Sequence, residues 1–99
     1  MNYKLNISYD GTAYHGWQKQ NNATAVCDVL EQAAQKIFKH PVDITGCSRT
    51  DAGVHALDYV CNFKSDLYIP LDRLPLALNT KLPGDIRVTH AEEADEDFN

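Results

Sequence analysis

Residues 48–56, SRTDAGVHA, bring an acid and a base together in a short glycine-bearing stretch. Asp51 follows Arg49 by two residues and is followed by Ala52 and Gly53, whose small size leaves space beside a carboxylate. A guanidinium that touches Asp51 favours the ionised carboxylate and lowers its pKa. Such a group is suited to nucleophilic attack or proton removal. The residues alone leave two interpretations open, a catalytic aspartate or a turn closed by a local ion pair.

Cysteine and histidine usage predicts no metal or disulfide chemistry. The three cysteines are an odd number and form no C-x-x-C pair, so we expect neither a disulfide scaffold nor a zinc site. The histidines are far apart in sequence and include no pair at helical spacing. We expect them to pack or to lie at the surface. These residues are Cys27, Cys47, Cys61, His15, His40, His55 and His90.

Length and composition predict one domain, residues 1–99. The chain is 43% hydrophobic and 23% charged, close to ordinary globular values. No apolar run approaches the roughly 18 residues of a membrane span. The first residues alternate polar and apolar types, unlike a signal peptide. We therefore expect a cytoplasmic protein without a membrane segment.

The net charge of −5 neither supports nor excludes a nucleic-acid partner. Phosphate binding requires lysine and arginine, so an acidic protein is at first sight a poor candidate. However, the final nine residues, AEEADEDFN, carry five acids and no base. Without them acids and bases are equal in number, and the acidity belongs to this tail.

The first half of the chain predicts a strand, a long loop and a helix. Residues 3–9 alternate apolar and polar types, as in a half-buried strand. Residues 10–24 are rich in Gly, Asn and Thr, and so long a connection usually has a function. Thr24 is the expected N-cap. From Val26 the apolar residues recur at helical spacing until Pro41 ends the helix.

The second half predicts two strands, a short helix and a last strand. Val42 and Ile44 form the expected second strand, and a short helix opens at Pro70. The fourth strand begins at Ile86. The order β-α-β-β-α-β predicts a ferredoxin-like α+β fold, an antiparallel sheet with two helices on one face and the other face free. The core-facing residues expected in the third strand are Leu57, Tyr59, Cys61 and Phe63.

Four blocks of the sequence resemble the N-terminal half of the tRNA pseudouridine synthase A family. They occur in the family's order at sensible spacings, and RTDAGVHA after YDG and GWQ is a highly specific combination. The resemblance spans almost the whole chain but well under half of a family member. The blocks are YDGTAYHGWQKQ (9–20), VLEQAAQKIF (29–38), SRTDAGVHA (48–56) and NTKLPGDIRV (79–88).

The resemblance implies an isomerase that converts uridine to pseudouridine in the anticodon stem-loop of tRNA, at family positions 38–40. Asp51 matches the catalytic aspartate. Whether it attacks the sugar or base covalently or first removes a sugar proton stays open. No metal or other cofactor is expected, because the substrate keeps every atom.

The resemblance also assigns supporting residues. Arg49 is expected to orient Asp51 and to help the target base leave the stack. Further substrate-binding residues are Thr50 and His55, although bonding of His55 to its own loop is the simpler interpretation. The residues expected to support the loop are Tyr14, Trp17, Gln18 and Gly53.

Full-length family members are homodimers with a second, similar half, and tRNA is the implied partner. We therefore expect this chain to be an N-terminal fragment that lacks the second domain and is inactive alone. The alternative is a non-catalytic RNA-binding module on the same fold, although YVCNFKS at 59–65 is a poor match to an RRM motif. An aspartic protease is excluded because Ala52 replaces the required hydroxyl residue.

Overall fold

The computed structural model, which describes residues 1–20 and 23–98, has an antiparallel four-stranded sheet with two helices packed on it. The strand order is β2-β3-β1-β4. The α+β class is confirmed, and the elements follow one another as β-α-β-β-α-β. Asn21 and Asn22 of the predicted first loop, and Asn99, lie outside the described residues. The elements are β1 (Asn2–Tyr9), α1 (Val26–Phe38), β2 (Thr45–Gly46), β3 (Ala56–Lys64), α2 (Leu74–Asn79) and β4 (Ile86–Ala94), with one 3₁₀ turn (Gly11–Ala13) after β1.

One face of the sheet carries the core. Alternate residues of β1 are buried, from Tyr3 to Tyr9, and both helices contribute to the same apolar cluster. Tyr3 stacks on Phe63 with ring centroids 5.1 Å apart and meets Phe38 of α1 edge-on at 5.3 Å. Each buried aromatic pair stabilises the fold by about 0.5–1.5 kcal/mol beyond the contribution of the surface area that it removes from water. This aromatic cluster fixes α1 on the sheet.

The opposite face is partly covered by the acidic tail, whereas the sequence predicted it to be free. Asn2 and Asn62 are buried there. The Asn2 side-chain amide donates to the carbonyl oxygens of Asp95 (2.7 Å) and Phe98 (3.1 Å), and the Asn62 amide donates to Phe98 at 3.2 Å. These bonds hold residues 95–98 against the sheet.

The second strand lies later than predicted. Val42 and Ile44 are buried but unpaired, and the strand forms at Thr45–Gly46. The reason is a side chain of α1. The Ile44 amide donates to the Glu31 carboxylate at 2.8 Å, so it is not available for a strand partner.

Three further expectations about local structure were wrong. Leu57 is 88% exposed because the β1–β3 register shifts at this point and Asp58 adopts a positive φ of 59°. The second helix begins at Leu74, since Pro70 lies in the preceding turn. Thr24 is not the N-cap of α1. The Asp28 carboxylate accepts a bond from the Ala25 amide at 3.1 Å.

Neither helix in the described part of the chain is long and apolar enough to span a membrane.

Candidate active site

Asp51 lies at the first position of a tight turn between β2 and β3. The Val54 amide donates to the Asp51 carbonyl at 3.2 Å, and Gly53, at the third position, has a φ of +77°. A type II turn requires a positive φ there, which glycine adopts without strain. The Asp51 side chain is exposed and opens on a cavity of about 350 Å³, the Asp51 cavity, lined also by Gln18, Lys19, Arg49 and Thr50.

The first loop packs its backbone directly against the Asp51 turn. Gly16 has a φ of +83°, and a Cβ built on it would overlap the Thr50 carbonyl oxygen. A Cβ on Gly11 would likewise overlap the carbonyl oxygen of Val54. The Gly53 amide donates to the Tyr14 carbonyl at 3.1 Å. Two backbone segments far apart in sequence therefore form one rigid unit behind the carboxylate.

Thr50 is half-buried and bonds to the sheet. Its hydroxyl shares a hydrogen bond of 2.9 Å with the Tyr9 hydroxyl at the end of β1. Burial raises the pKa of Tyr9, so this hydroxyl keeps its proton at neutral pH. The residue immediately before Asp51 is thus bonded to β1, one of the two interior strands of the sheet.

Tyr59 fixes the other side of the loop. Its hydroxyl donates to the Ser48 carbonyl and accepts from the Ser48 amide at 3.2 Å. Burial raises the pKa of Tyr59 to about 12, against the opposing effect of the bond to Ser48. Trp17 is buried against this ring, with centroids 4.8 Å apart, and the Trp17 carbonyl accepts from the Cys27 amide at 3.0 Å. Trp17 therefore joins the first loop to both β3 and α1.

The other two residues predicted to support the loop differ in environment. Tyr14 is buried, and its hydroxyl donates to the Asp85 carboxylate at 2.6 Å. Burial, together with this bond, raises the pKa of Tyr14 well above its ordinary value. Gln18 is exposed and lines the Asp51 cavity instead of packing beneath the loop.

Arg49 and Asp51 share the cavity without forming an ion pair. Within residues 1–20 and 23–98, no carboxylate lies within ion-pairing distance of the Arg49 guanidinium. The ion-paired turn, which was the alternative to catalysis, is therefore not formed. Arg49 is exposed, which leaves the five N–H donors of its guanidinium facing solvent and the cavity.

His55 lies outside the Asp51 cavity. Its Nδ1 accepts a bond from the Gly11 amide at 2.9 Å and lies 3.1 Å from the Asp10 carboxylate. The interpretation that it bonds its own loop was wrong, because the partner belongs to the first loop. Its predicted contact with substrate stays a prediction.

The described residues include no group of three or more His, Cys, Asp or Glu side chains that could hold a metal ion. The charged groups that line the Asp51 cavity are the Asp51 carboxylate, the Arg49 guanidinium and the Lys19 ammonium. Contacts on both sides hold the turn that contains Asp51. The position of Asp51 is therefore set by backbone contacts.

Sequence reasoning missed the residues that hold this turn, namely Tyr9, Gly11, Gly16 and Tyr59. The two glycines carried a signal, because they lie on either side of Tyr14 in a long polar loop, and so long a loop usually has a function. Tyr9 and Tyr59 carried none, since they alternate with polar residues like any core position.

Comparison with known proteins identifies the family. The profile that describes tRNA pseudouridine synthase matches residues 6–99. The chain is 53% identical to tRNA pseudouridine synthase A of Acetivibrio thermocellus and 48% identical to that of Thermoanaerobacter sp. (strain X514). It is 50% identical to tRNA pseudouridine synthase A 2 of Clostridium perfringens.

Each of these alignments covers 97 residues, which is 98% of this chain and 40% of the relative. The chain thus spans about two fifths of the length of the curated relatives it matches. On the strength of the profile match over nearly all of its residues, the chain belongs to the tRNA pseudouridine synthase family.

Proposed function

We propose that the complete protein isomerises uridine to pseudouridine in tRNA and that this chain supplies the reactive carboxylate, Asp51. The observation that carries the proposal is the placement of Asp51, exposed on a braced turn at the edge of a cavity. A carboxylate aimed at a reacting atom must hold its position to well under 1 Å, and the contacts of Gly16 and Thr50 favour such rigidity.

The product is an isomer of the substrate, so the reaction adds and removes no heavy atom. The bond between uracil N1 and the ribose C1′ breaks, the uracil turns, and a bond between C5 and C1′ forms. The proton leaves C5, and N1 gains one. The Asp51 carboxylate serves either as a nucleophile that holds one fragment covalently or as the base that removes a sugar proton.

The substrate nucleotide has to leave the helical stack before Asp51 can reach it, at an expense of a few kcal/mol. Arg49 is the proposed group that supports this step, because its planar guanidinium lies in the same cavity and pairs with no carboxylate of the residues that the structure describes. In the complete protein we place the target uridine in the anticodon stem-loop and the reaction in the cytoplasm. The homodimer implied by the resemblance stays a prediction.

We further propose that the 99 residues alone do not complete the reaction. The chain spans 40% of its relatives, and the Asp51 cavity, whose lining residues are mostly exposed, is open to solvent. An open site screens charge and does not exclude water from the reacting atoms.

Tritium release from tRNA labelled at uridine C5 tests the proposal in the complete protein. Asp51→Asn keeps the shape and removes the charge, and it is expected to slow release by at least ~100-fold. Asp72→Asn is the matched control, because Asp72 is also exposed and lines none of the cavities described here. Release at the wild-type rate by Asp51→Asn would contradict the role of Asp51, whereas a wild type that binds tRNA and releases no tritium would leave only an RNA-binding function.

A further inference from the structure

A second cavity, of about 500 Å³, lies beside the Asp51 cavity. The two cavities have Gln18, Lys19 and Arg49 in common, and we call these three residues the ridge. The two cationic side chains of the neighbourhood thus stand between the cavities. The volume of the second cavity falls within the range of about 300–1,000 Å³ typical of small-molecule sites.

Lys19 is held in place by a buried carboxylate. Glu31 on α1 is 5% exposed, and its two oxygens accept from the Lys19 ammonium at 2.5 Å and from the Ile44 amide at 2.8 Å. The hydrogen bond to Glu31 raises the pKa of Lys19, so the ammonium stays charged at neutral pH. The Lys19 side chain is 52% exposed. Its remaining N–H donors are therefore available to a ligand on the ridge.

Charge is distributed unevenly around the second cavity. Its wall includes the acidic Glu31 and Asp43 as well as the apolar Trp17 and Ile44, whereas its positive groups are on the ridge. The Lys19 ammonium offsets the charge of Glu31, so Asp43 is the acid of the wall that repels a phosphate. Arg49, which pairs with no carboxylate of the described residues, attracts a phosphate to the ridge, while a nucleoside can lie against the apolar part of the cavity. The arrangement suits a nucleic-acid strand whose phosphate crosses the ridge.

We propose that the ridge binds the phosphate that joins the target nucleotide to its neighbour, and that Lys19 donates a hydrogen bond to it. The target nucleotide then lies in the Asp51 cavity, and the neighbouring nucleotide lies in the second cavity. Lys19 is in this sense a substrate-positioning residue. The inference rests on the proposed function in taking RNA as the ligand and in placing the target nucleotide at Asp51.

The salt dependence of tRNA binding by the complete protein tests this contact. Loss of one phosphate contact lowers the slope of log affinity against log salt by about one. Between about 50 and 200 mM potassium chloride, the wild type should therefore lose about 3.5-fold more affinity than Lys19→Gln. Lys19→Arg should keep the wild-type slope. Lys81→Gln is the matched control, because Lys81 is exposed and lines none of the cavities described here.

A double variant separates direct contact from general electrostatics. Lys19→Gln combined with Glu31→Gln keeps the net charge of the wild type and leaves no buried carboxylate unpaired, so it also serves if the single variant folds poorly. We expect the double variant to retain the reduced slope. A wild-type slope in the double variant, or an equal reduction in Lys81→Gln, would overturn the proposal.

The two proposals fail in different ways. If the wild type binds tRNA with the predicted slopes but releases no tritium, the isomerase proposal falls and the phosphate contact stands. If tritium is released and the Lys19→Gln slope equals that of the wild type, the phosphate contact falls and the isomerase proposal stands.

Discussion

Replacing Gly16 with alanine would disturb the Asp51 turn through two separable effects. The first is conformational, since the φ of +83° disfavours any residue with a Cβ by about 1–2 kcal/mol. The second is steric, because the new Cβ would overlap the Thr50 carbonyl oxygen and lie 3.1 Å from its carbon. Overpacking of this kind typically destabilises by about 1–3 kcal/mol. The sum predicts a loss of about 2–5 kcal/mol in the free energy of unfolding.

The steric effect should also reach the carboxylate. The overlap is with a backbone carbonyl, which cannot move away by a change of side-chain rotamer. The segments around Gly16 and Thr50 must therefore separate by roughly 1 Å to restore normal contact. The displaced residues are Thr50 and Asp51, whose carbonyl carbon lies 3.4 Å from the new Cβ. A misplacement of about 1 Å lowers catalytic rates by about 100-fold. We therefore expect Gly16→Ala to reduce tritium release by about that factor.

Gly53→Ala provides the matched control for stability. Its φ of +77° carries the same conformational penalty, but a Cβ there would meet nothing within 4 Å. Urea unfolding should show a loss of about 1–2 kcal/mol for Gly53→Ala and a larger loss for Gly16→Ala. Equal losses in the two variants would refute the close packing of Gly16 against the Asp51 turn.

Three further predictions concern residues around this turn. Tyr9→Phe removes the hydrogen bond to Thr50 and should destabilise the chain by about 0.5–1.5 kcal/mol in urea unfolding. The pKa of Tyr59 is raised to about 12 in the folded state, so the contribution of Tyr59 to stability is complete below about pH 10 and is lost as pH rises towards 12. The midpoint of urea unfolding should therefore fall between these pH values, and it should fall less in Tyr59→Phe. Leu57→Ala should change the free energy of unfolding by less than about 0.5 kcal/mol, because the Leu57 side chain is 88% exposed. Leu5→Ala in the core should lower it by about 2–5 kcal/mol. Similar losses in the two variants would contradict the shift in register between β1 and β3.

Periodicity was informative where one face of an element is buried along its whole length. The alternation in β1 and the helical spacing in α1 placed both elements within a residue or two, because burial of one face dictates the residue types. The pattern failed at Leu57, where a local shift in pairing turns the side chain outward. It failed again at Ile44, whose amide bonds to a side chain instead of a strand. Both failures have long-range causes that no local window contains.

The same distinction applies to the candidate site. Asp51 and Arg49 were identified from residue type and spacing, and the structure places both at one cavity. The ion pair between Asp51 and Arg49 that the sequence left open is not formed. Whether two such side chains pair depends on the path of the backbone between them, here around Thr50. The glycine contacts and the Lys19–Glu31 pair join segments separated in sequence, so they became visible only in three dimensions.

The central claim is that the reaction requires the negative charge of the Asp51 carboxylate, and a single-turnover measurement tests this claim most directly. The complete protein, in excess over tRNA labelled with tritium at uridine C5, is compared with its Asp51→Asn variant at equal occupancy of tRNA. We predict release at a measurable rate by the wild type and release at the background rate by the variant. Matching rates in the two proteins would contradict the assignment of Asp51 as the reactive group.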